Sequence, residues 1–412
     1  MSIRLRTLAR DGLLGSIVGL ACGVASAAFL WLLAWATEMR SGHDVLVWCL
    51  PLAGLVLGAI YERWGAAILG GNNLVIDTIH DDGPELPLRM GPMVLVGTVL
   101  THLFGGSAGR EGTAVQIGAS LADALSHRLG LDRPLRRRLL AAGVAGGFGS
   151  VFGTPIAGTL FGLEFVVAGR IEYGALVPAL VAALVGDLTT RALGIVHTAY
   201  PQVAPLRLDP LLIGKWACFA VAVALVTTVF IELTHGAKRL GERWLPRLPL
   251  RMLVGGALVV VLWRVVGTSD YLGLGVPTIE RAFWDPALPR TAFAWKLLFT
   301  AVTLGAGFLG GEVTPLFFVG AALGSVLSVP LGLPLPLACG VGLAAVFASA
   351  ASTPLALSVM AVEMMGDALL PHVVLVSVLA RWLLGRRSIY ASQLRADPDA
   401  SGGGAARPSC AP

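Results

Sequence analysis

Three glycine-rich breaks carry the polar residues of an otherwise apolar chain. They are Gly70-Gly71-Asn72-Asn73-Leu74-Val75, Gly109-Arg110-Glu111-Gly112-Thr113 and Gly310-Gly311-Glu312-Val313-Thr314-Pro315. Each leads into a helix-like stretch. Glycine lets the backbone turn sharply and lets a ligand come close. The first N–H groups of a helix have no partner inside it, and the helix dipole adds partial positive charge at that end. Several such ends meeting in one place would make an anion site without a fixed full charge. That suits passage better than a lysine would, because dipoles hold an anion and release it.

Glu111 is the sharpest residue of the set. A carboxylate at membrane depth costs about 2.5–3.5 kcal/mol on insertion scales. When ionised it can fill the anion site with its own oxygens; when protonated it can leave, which ties anion movement to a proton. The plainer reading is an ion pair with Arg110, but that would not need the flanking glycines Gly109 and Gly112. Glu312 could carry protons, filter anions, or simply cap a helix. Thr314 could donate its hydroxyl to an anion or act as a cap. Asn72 offers an amide donor or is a turn residue. Tyr390, in Ser388-Ile389-Tyr390-Ala391-Ser392, reads by itself as an interfacial tyrosine. Glu164 and Glu363 read as structural. His80, His102 and His372 lack metal-ligand spacing, and Ser107 and Ser150 have no evident base for an intramembrane hydrolase.

The elements around these breaks must sit in lipid. The 412 residues are 56% hydrophobic and 13% charged, against about 25% charged in soluble domains. Leu13–Ala36 is uncharged and long enough for about 30 Å of hydrocarbon. Leu139–Leu163 and Val313–Val362 also lack charge. Further apolar windows predict a polytopic, all-α bundle of roughly ten or more helices, several too short to cross alone. The first apolar segment is too long for a signal peptide and lacks a cleavage site. The net charge of +5 sits in loops and does not point to nucleic acid. No cofactor or metal is expected. Cys22, Cys49, Cys218 and Cys339 read as small core residues, and the tail 393–412 as disordered, with no regulatory domain after it.

The chain repeats itself at a spacing of about 200 residues. Gly105–Ser126 matches Gly307–Ser328, and Gly143–Glu164 matches Gly342–Glu363, including a shared Thr-Pro-x-Ala followed by a glutamate. The loop His127–Arg138 carries five arginines and one acid, while its counterpart Val329–Val341 carries no charge. One loop earlier the bias reverses: His235–Arg251 is basic and Ala36–Asp44 is not. Basic loops face the cytoplasm, so the halves are inverted, a transporter signature. The expected organisation is a cytoplasmic segment 1–12, a first membrane repeat 13–200 and a second, inverted repeat 205–392. Both termini are then cytoplasmic.

As a set, these residues resemble the CLC anion channel and transporter family, over about Leu13 to Ser392. Gly109-Arg110-Glu111-Gly112 is similar to that family's gating-glutamate motif. The resemblance implies a CLC-like inverted-repeat bundle with broken helices and a homodimer. It implies anion contacts at Asn72, Gly109, Arg110, Gly112, Val313, Thr314 and Tyr390, with Glu111 as gate. Chloride-type members have a GSGIP-like first motif, a proline after the gate and a GxFxP third motif. Here the first reads Gly71-Asn72-Asn73-Leu74-Val75, the residue after the gate motif is Thr113, and the third reads Gly311-Glu312-Val313-Thr314-Pro315. These departures resemble the fluoride-specific branch, whose members are fluoride/proton antiporters of the bacterial inner membrane. In that branch Glu312, Thr314 and Asn72 become selectivity candidates. Phe165 stands where chloride antiporters have an internal proton glutamate. The alternative is a chloride/proton exchanger or chloride channel. Fluoride is compact and strongly hydrated, so its site must supply compact donors.

Overall fold

The computed structural model describes residues 2–81 and 85–395. The tail expected to be disordered from 393 is ordered through residue 395, because Gln393 is buried and hydrogen-bonded and Leu394–Arg395 form a short strand; residues 396–412, with Cys410, lie outside the described residues. The chain begins with α1 (Ser2–Gly42), α2 (Val45–Trp48), α3 (Leu50–Trp64), α4 (Asn72–Asp81) and α5 (Met90–Leu103). It continues with α6 (Glu111–Arg128), α7 (Arg133–Phe152), α8 (Pro155–Glu164), β1 (Val167–Ala168) and α9 (Leu176–Ala192). After a linker come α10 (Pro210–Trp244), α11 (Leu248–Val266), α12 (Val276–Ala282) and α13 (Ala292–Gly305). The remainder is α14 (Val313–Leu331), α15 (Leu335–Ala351), α16 (Pro354–Met365), α17 (Leu370–Leu384) and β2 (Leu394–Arg395). Apart from the single-turn α2, helices α1 to α9 recur in order and in kind as α10 to α17.

Local chemistry sets the boundaries. Asp132 accepts from the Leu135 N–H at 3.1 Å and Pro134 follows in the first turn, so α7 starts there. Asp209 and Pro210 start α10 in the same way, with Asp209 accepting from Leu212 at 2.7 Å. Side-chain acceptors at this position satisfy donors the helix leaves free. The uncharged run Leu139–Leu163 is two helices, not one. Gly153 ends α7 with a φ of +73°, and Thr154-Pro155 opens α8. Val313–Val362 is likewise divided into α14, α15 and α16. Hydropathy does not register these breaks, because Gly, Ser, Thr and Pro carry no charge. Among the described residues, six helical stretches are long and apolar enough to cross a membrane by length and composition. Others, such as α5 and α13 with 14 residues each, are shorter.

The two halves interlock. Helix α3 packs on α11, and α8 on α16. The Glu164 carboxylate accepts from the N–H groups of Leu355 and Ala356, at 3.3 and 2.9 Å, at the start of α16. Glu363 accepts from Ile156 and Ala157, at 3.0 and 2.7 Å, at the start of α8. Each half thus caps a helix of the other. The strands β1 and β2 pair in parallel, Val167 with Leu394. One expectation fails. Cys22 and Cys339 are buried and Cys49 half-buried, but Cys218 is exposed. It lies on α10 with the exposed Val221 and Leu225, a face whose apolar side chains suit lipid as well as a core.

Candidate functional site

The breaks at Gly109 and Gly311 meet at the centre. These matched glycines form an antiparallel bridge, with N–H to O distances of 2.6 and 2.8 Å in the two directions. There is no room for a side chain: a Cβ on Gly311 would lie 2.7 Å from the Gly112 nitrogen. The bridge brings the first turns of α6 and α14 together, from opposite halves.

Glu111 opens α6 but is held by α14. It is fully buried. Its Oε1 accepts from the Thr314 hydroxyl at 2.5 Å, and its Oε2 accepts from the Thr314 N–H at 3.2 Å. The Arg110 N–H donates to the same Oε2 at 3.1 Å. Two of these donors are backbone groups freed by helix starts. The carboxylate therefore occupies a cradle suited to any small anion. The Arg110 side chain is also near, with Nε 3.5 Å from Oε1. Arg110 thus takes part through its N–H and, as an ion pair, through its guanidinium. Val313 is buried beside Thr314, and a Cβ on Gly109 would meet Glu111 Oε2 at 2.9 Å.

A cavity of about 260 Å³ reaches this centre from one side. Asn72, Gln116, Glu312 and Tyr390 line it near the break, and His235 and Lys238 line it farther along α10. Asn72 sits at the start of α4. Its Oδ1 accepts from Gln116 Nε2 at 3.2 Å, which leaves its amide nitrogen facing Gly112. Glu312 precedes α14 without capping it, and its Oε2 is buried without a hydrogen-bond partner. Glu111 and Thr314 thus form one cluster, and Asn72, Tyr390 and Glu312 a second along the cavity.

The sequence reading missed the residues that hold Tyr390 and Asn72. The Ser392 N–H donates to Asn73 Oδ1 at 3.0 Å, and Gln393 Nε2 donates to the carbonyls of Phe165 and Ala351 at 3.0 and 2.9 Å. Gln116 and Gln393 are scattered polar residues in apolar surroundings, and the tandem Asn72-Asn73 was the one visible signal. Phe165 continues a row of rings from Phe148 through Phe161 to Tyr390, with neighbouring centroids 4.3, 5.0 and 5.0 Å apart. Ser107 bonds Thr300 of α13 at 2.9 Å and is a packing residue. His80 is tied to the Val166 carbonyl at 2.9 Å and His372 to Trp216 at 3.0 Å.

The model of the voltage-gated chloride channel family matches residues 53–385. A chloride/fluoride channel protein of Pseudomonas syringae pv. tomato is 45% identical over 395 residues, covering 92% of this chain and 85% of that protein. The crystal structure of a CLC-type fluoride/proton antiporter superposes with a TM-score of 0.92 at 34% identity, covering 96% of this chain and 100% of the other. A slow cyanobacterial Cl⁻/H⁺ antiporter shares the fold at 18% identity, with a TM-score of 0.81 and coverage of 92% and 96%.

Proposed function

The chain belongs to the voltage-gated chloride channel family, and from that membership we propose that it is a fluoride/proton antiporter. The observation that carries this reading is the Glu111 carboxylate seated on the Thr314 N–H and hydroxyl and the Arg110 N–H. A protonatable group in the anion's own cradle makes anion entry and proton uptake alternatives at one place. When Glu111 is ionised it excludes the anion. When it takes a proton its hold on these donors weakens, and the anion replaces it. Compact donors, among them a hydroxyl, suit a hard, strongly hydrated anion, whose lost water must be replaced.

On this reading the cavity is the cytoplasmic vestibule, since basic His235–Arg251 lies at its mouth. The rings around Phe165 close the route that an internal acid would use in a chloride antiporter. Glu312 lines the vestibule at its inner end, nearer the gate than Glu242, which lines it on α10. Asn72 and Tyr390 receive the anion below the gate. The halves 13–200 and 205–392 are inverted repeats in the bacterial inner membrane, with both termini cytoplasmic, and two copies form a homodimer with one path each.

The second reading is a chloride channel or chloride/proton exchanger, favoured by the name of the Pseudomonas relative, which covers both anions. Fluoride, chloride and proton fluxes measured together in vesicles holding only this protein separate the two. The antiporter reading expects fluoride to drive proton movement the opposite way, with chloride far slower. Equal chloride and fluoride fluxes, or fluoride flux without protons, would overturn it.

A further inference from the structure

A second cavity, of about 370 Å³, opens sideways between α10, α11 and α13. Small-ligand clefts span about 300–1,000 Å³. Leu240, Gly241 and Trp244 of α10 and Arg251, Val254 and Leu258 of α11 line it. In each set the spacing is three or four residues, so each helix turns one face to the groove. Gly305 and Ala306 of α13 form its floor. Leu240, Trp244, Val254 and Leu258 are all exposed, and the groove is therefore open to whatever surrounds the helices. In a membrane protein that is lipid.

The groove is apolar along its length and basic at one end. Among the described residues that line it, Arg251 alone is charged. Its stem lies against α10, where a Cβ on Gly241 would meet Arg251 Cδ at 2.8 Å. Its Nε donates to the Ala306 carbonyl at 3.2 Å, and its Nη1 stands 3.9 Å from Glu242 Oε1. Arg251 and Gly305 also line the vestibule, so they form the wall between the two spaces. Trp244 ends α10 at the mouth, and the exposed Arg247 is the N-cap of α11, two residues after the lining Leu245. The segment 235–251 carries five basic residues, Lys238, Arg239, Arg243, Arg247 and Arg251, against the single acid Glu242. Tryptophan and basic residues mark the bilayer interface. From Arg251 to Leu258 the groove continues about 10 Å along the helix, at 1.5 Å per residue.

A basic mouth over an apolar groove has the shape and charge of one phospholipid, and basic pockets between membrane helices on the cytoplasmic side recognise anionic headgroups. We infer that this groove binds one anionic phospholipid, with a chain along Leu240, Val254 and Leu258 and its phosphate at Trp244 and Arg247. Arg251 adds its charge from the wall, which sets the bound lipid one side chain away from the vestibule. A zwitterionic lipid fits the apolar part as well but gains less from the cations. That the lipid belongs to the cytoplasmic leaflet rests on the topology proposed above. Its binding does not require fluoride.

Native mass spectrometry of the delipidated protein reads this binding, with phosphatidylglycerol and phosphatidylethanolamine of the same chains as probes. The first phosphatidylglycerol should bind about tenfold or more tightly than the first phosphatidylethanolamine. Arg247→Gln should remove most of that preference. Val254→Phe, which puts a ring in the groove, should weaken the first phosphatidylglycerol about tenfold, and it carries the test if Arg247→Gln does not assemble. Arg239→Gln removes the same charge from a position that lines neither cavity, and it should keep the preference within twofold. Equal binding of the two lipids to the wild type would overturn the site, as would unchanged binding in both Arg247→Gln and Val254→Phe. An equal loss in Arg239→Gln would assign the preference to loop charge at large and overturn the groove as its seat. The same spectra count subunits. If Val254→Phe splits a dimer into single chains, a second copy covers the groove and the lipid site is overturned. Fluoride flux from the same preparation keeps the two conclusions apart, since absent flux with lipid preference intact sinks the transport reading alone.

Discussion

The two halves share a frame and differ in what fills it. Gly109 and Gly311 pair with each other, Glu164 and Glu363 cap each other's neighbours, and the glycines at 71 and 273 have the same φ. At the gate the likeness stops. Arg110-Glu111 in the first half stands opposite Glu312-Val313 in the second. At the starts of α4 and α12, Asn72 faces a cavity whereas Leu274 is buried in an apolar cluster. Backbone hydrogen bonds, helix starts and the capping glutamates are thus two-fold, while the ionisable side chains at the gate are not. The symmetric parts build a place where helix ends converge, and the asymmetric parts give it a direction. One side has a single carboxylate in the cradle, and the other an acid on the vestibule.

The largest expected effect breaks the asymmetry at its centre. Glu111→Gln keeps the shape of the side chain and removes its ionisation. Coupled proton flux in vesicles should fall about 100-fold or more, the scale on which a positioned proton-transferring group acts. Glu312→Gln should slow proton movement by less, because Glu312 lines the vestibule, where water offers protons another way in. Unchanged coupled flux in Glu111→Gln would end its role as gate, and a larger loss in Glu312→Gln would exchange the two assignments.

A smaller effect is expected at Thr314, which serves the first half's glutamate from the second half's helix. Thr314→Val removes the hydroxyl and keeps the N–H. A hydrogen bond to a charged group contributes about 1.5–3 kcal/mol, and at the lower end of that range half-saturating fluoride should rise roughly tenfold, with Thr314→Ser restoring it. A flux assay over a range of fluoride concentrations reads this, and unaltered half-saturation in Thr314→Val would leave the backbone as the sole donor. The sequence made this partnership only half legible. Glycine spacing and matched motifs placed Glu111 and Thr314 near helix starts, because a break in an apolar run is visible in residue type. That the carboxylate crosses to the other half's helix was not visible, since pairing between segments about 200 residues apart leaves no local pattern. Loop charge indicated inversion because basic residues cluster there. Gln116 and Gln393 were silent because a buried amide is defined by its partners.

The smallest effect tests whether the symmetric parts are structural only. Glu363→Gln and Glu164→Gln each replace a carboxylate that accepts from two N–H groups at a helix start with an amide that has one acceptor oxygen. Loss of a helix cap costs about 0.5–2 kcal/mol, so each variant should lower the melting temperature in detergent by a similar amount. The double variant should lose less than the sum, because both caps join the same two helices and residues in one network are not additive. Transport and proton coupling should stay close to wild type in both. Glu164 is the informative member, since it adjoins Phe165, where the resemblance would place an internal proton acid. If Glu164→Gln reduced proton flux and Glu363→Gln did not, the two-fold caps would have different tasks. Protons would then pass beside the aromatic row, not through the vestibule.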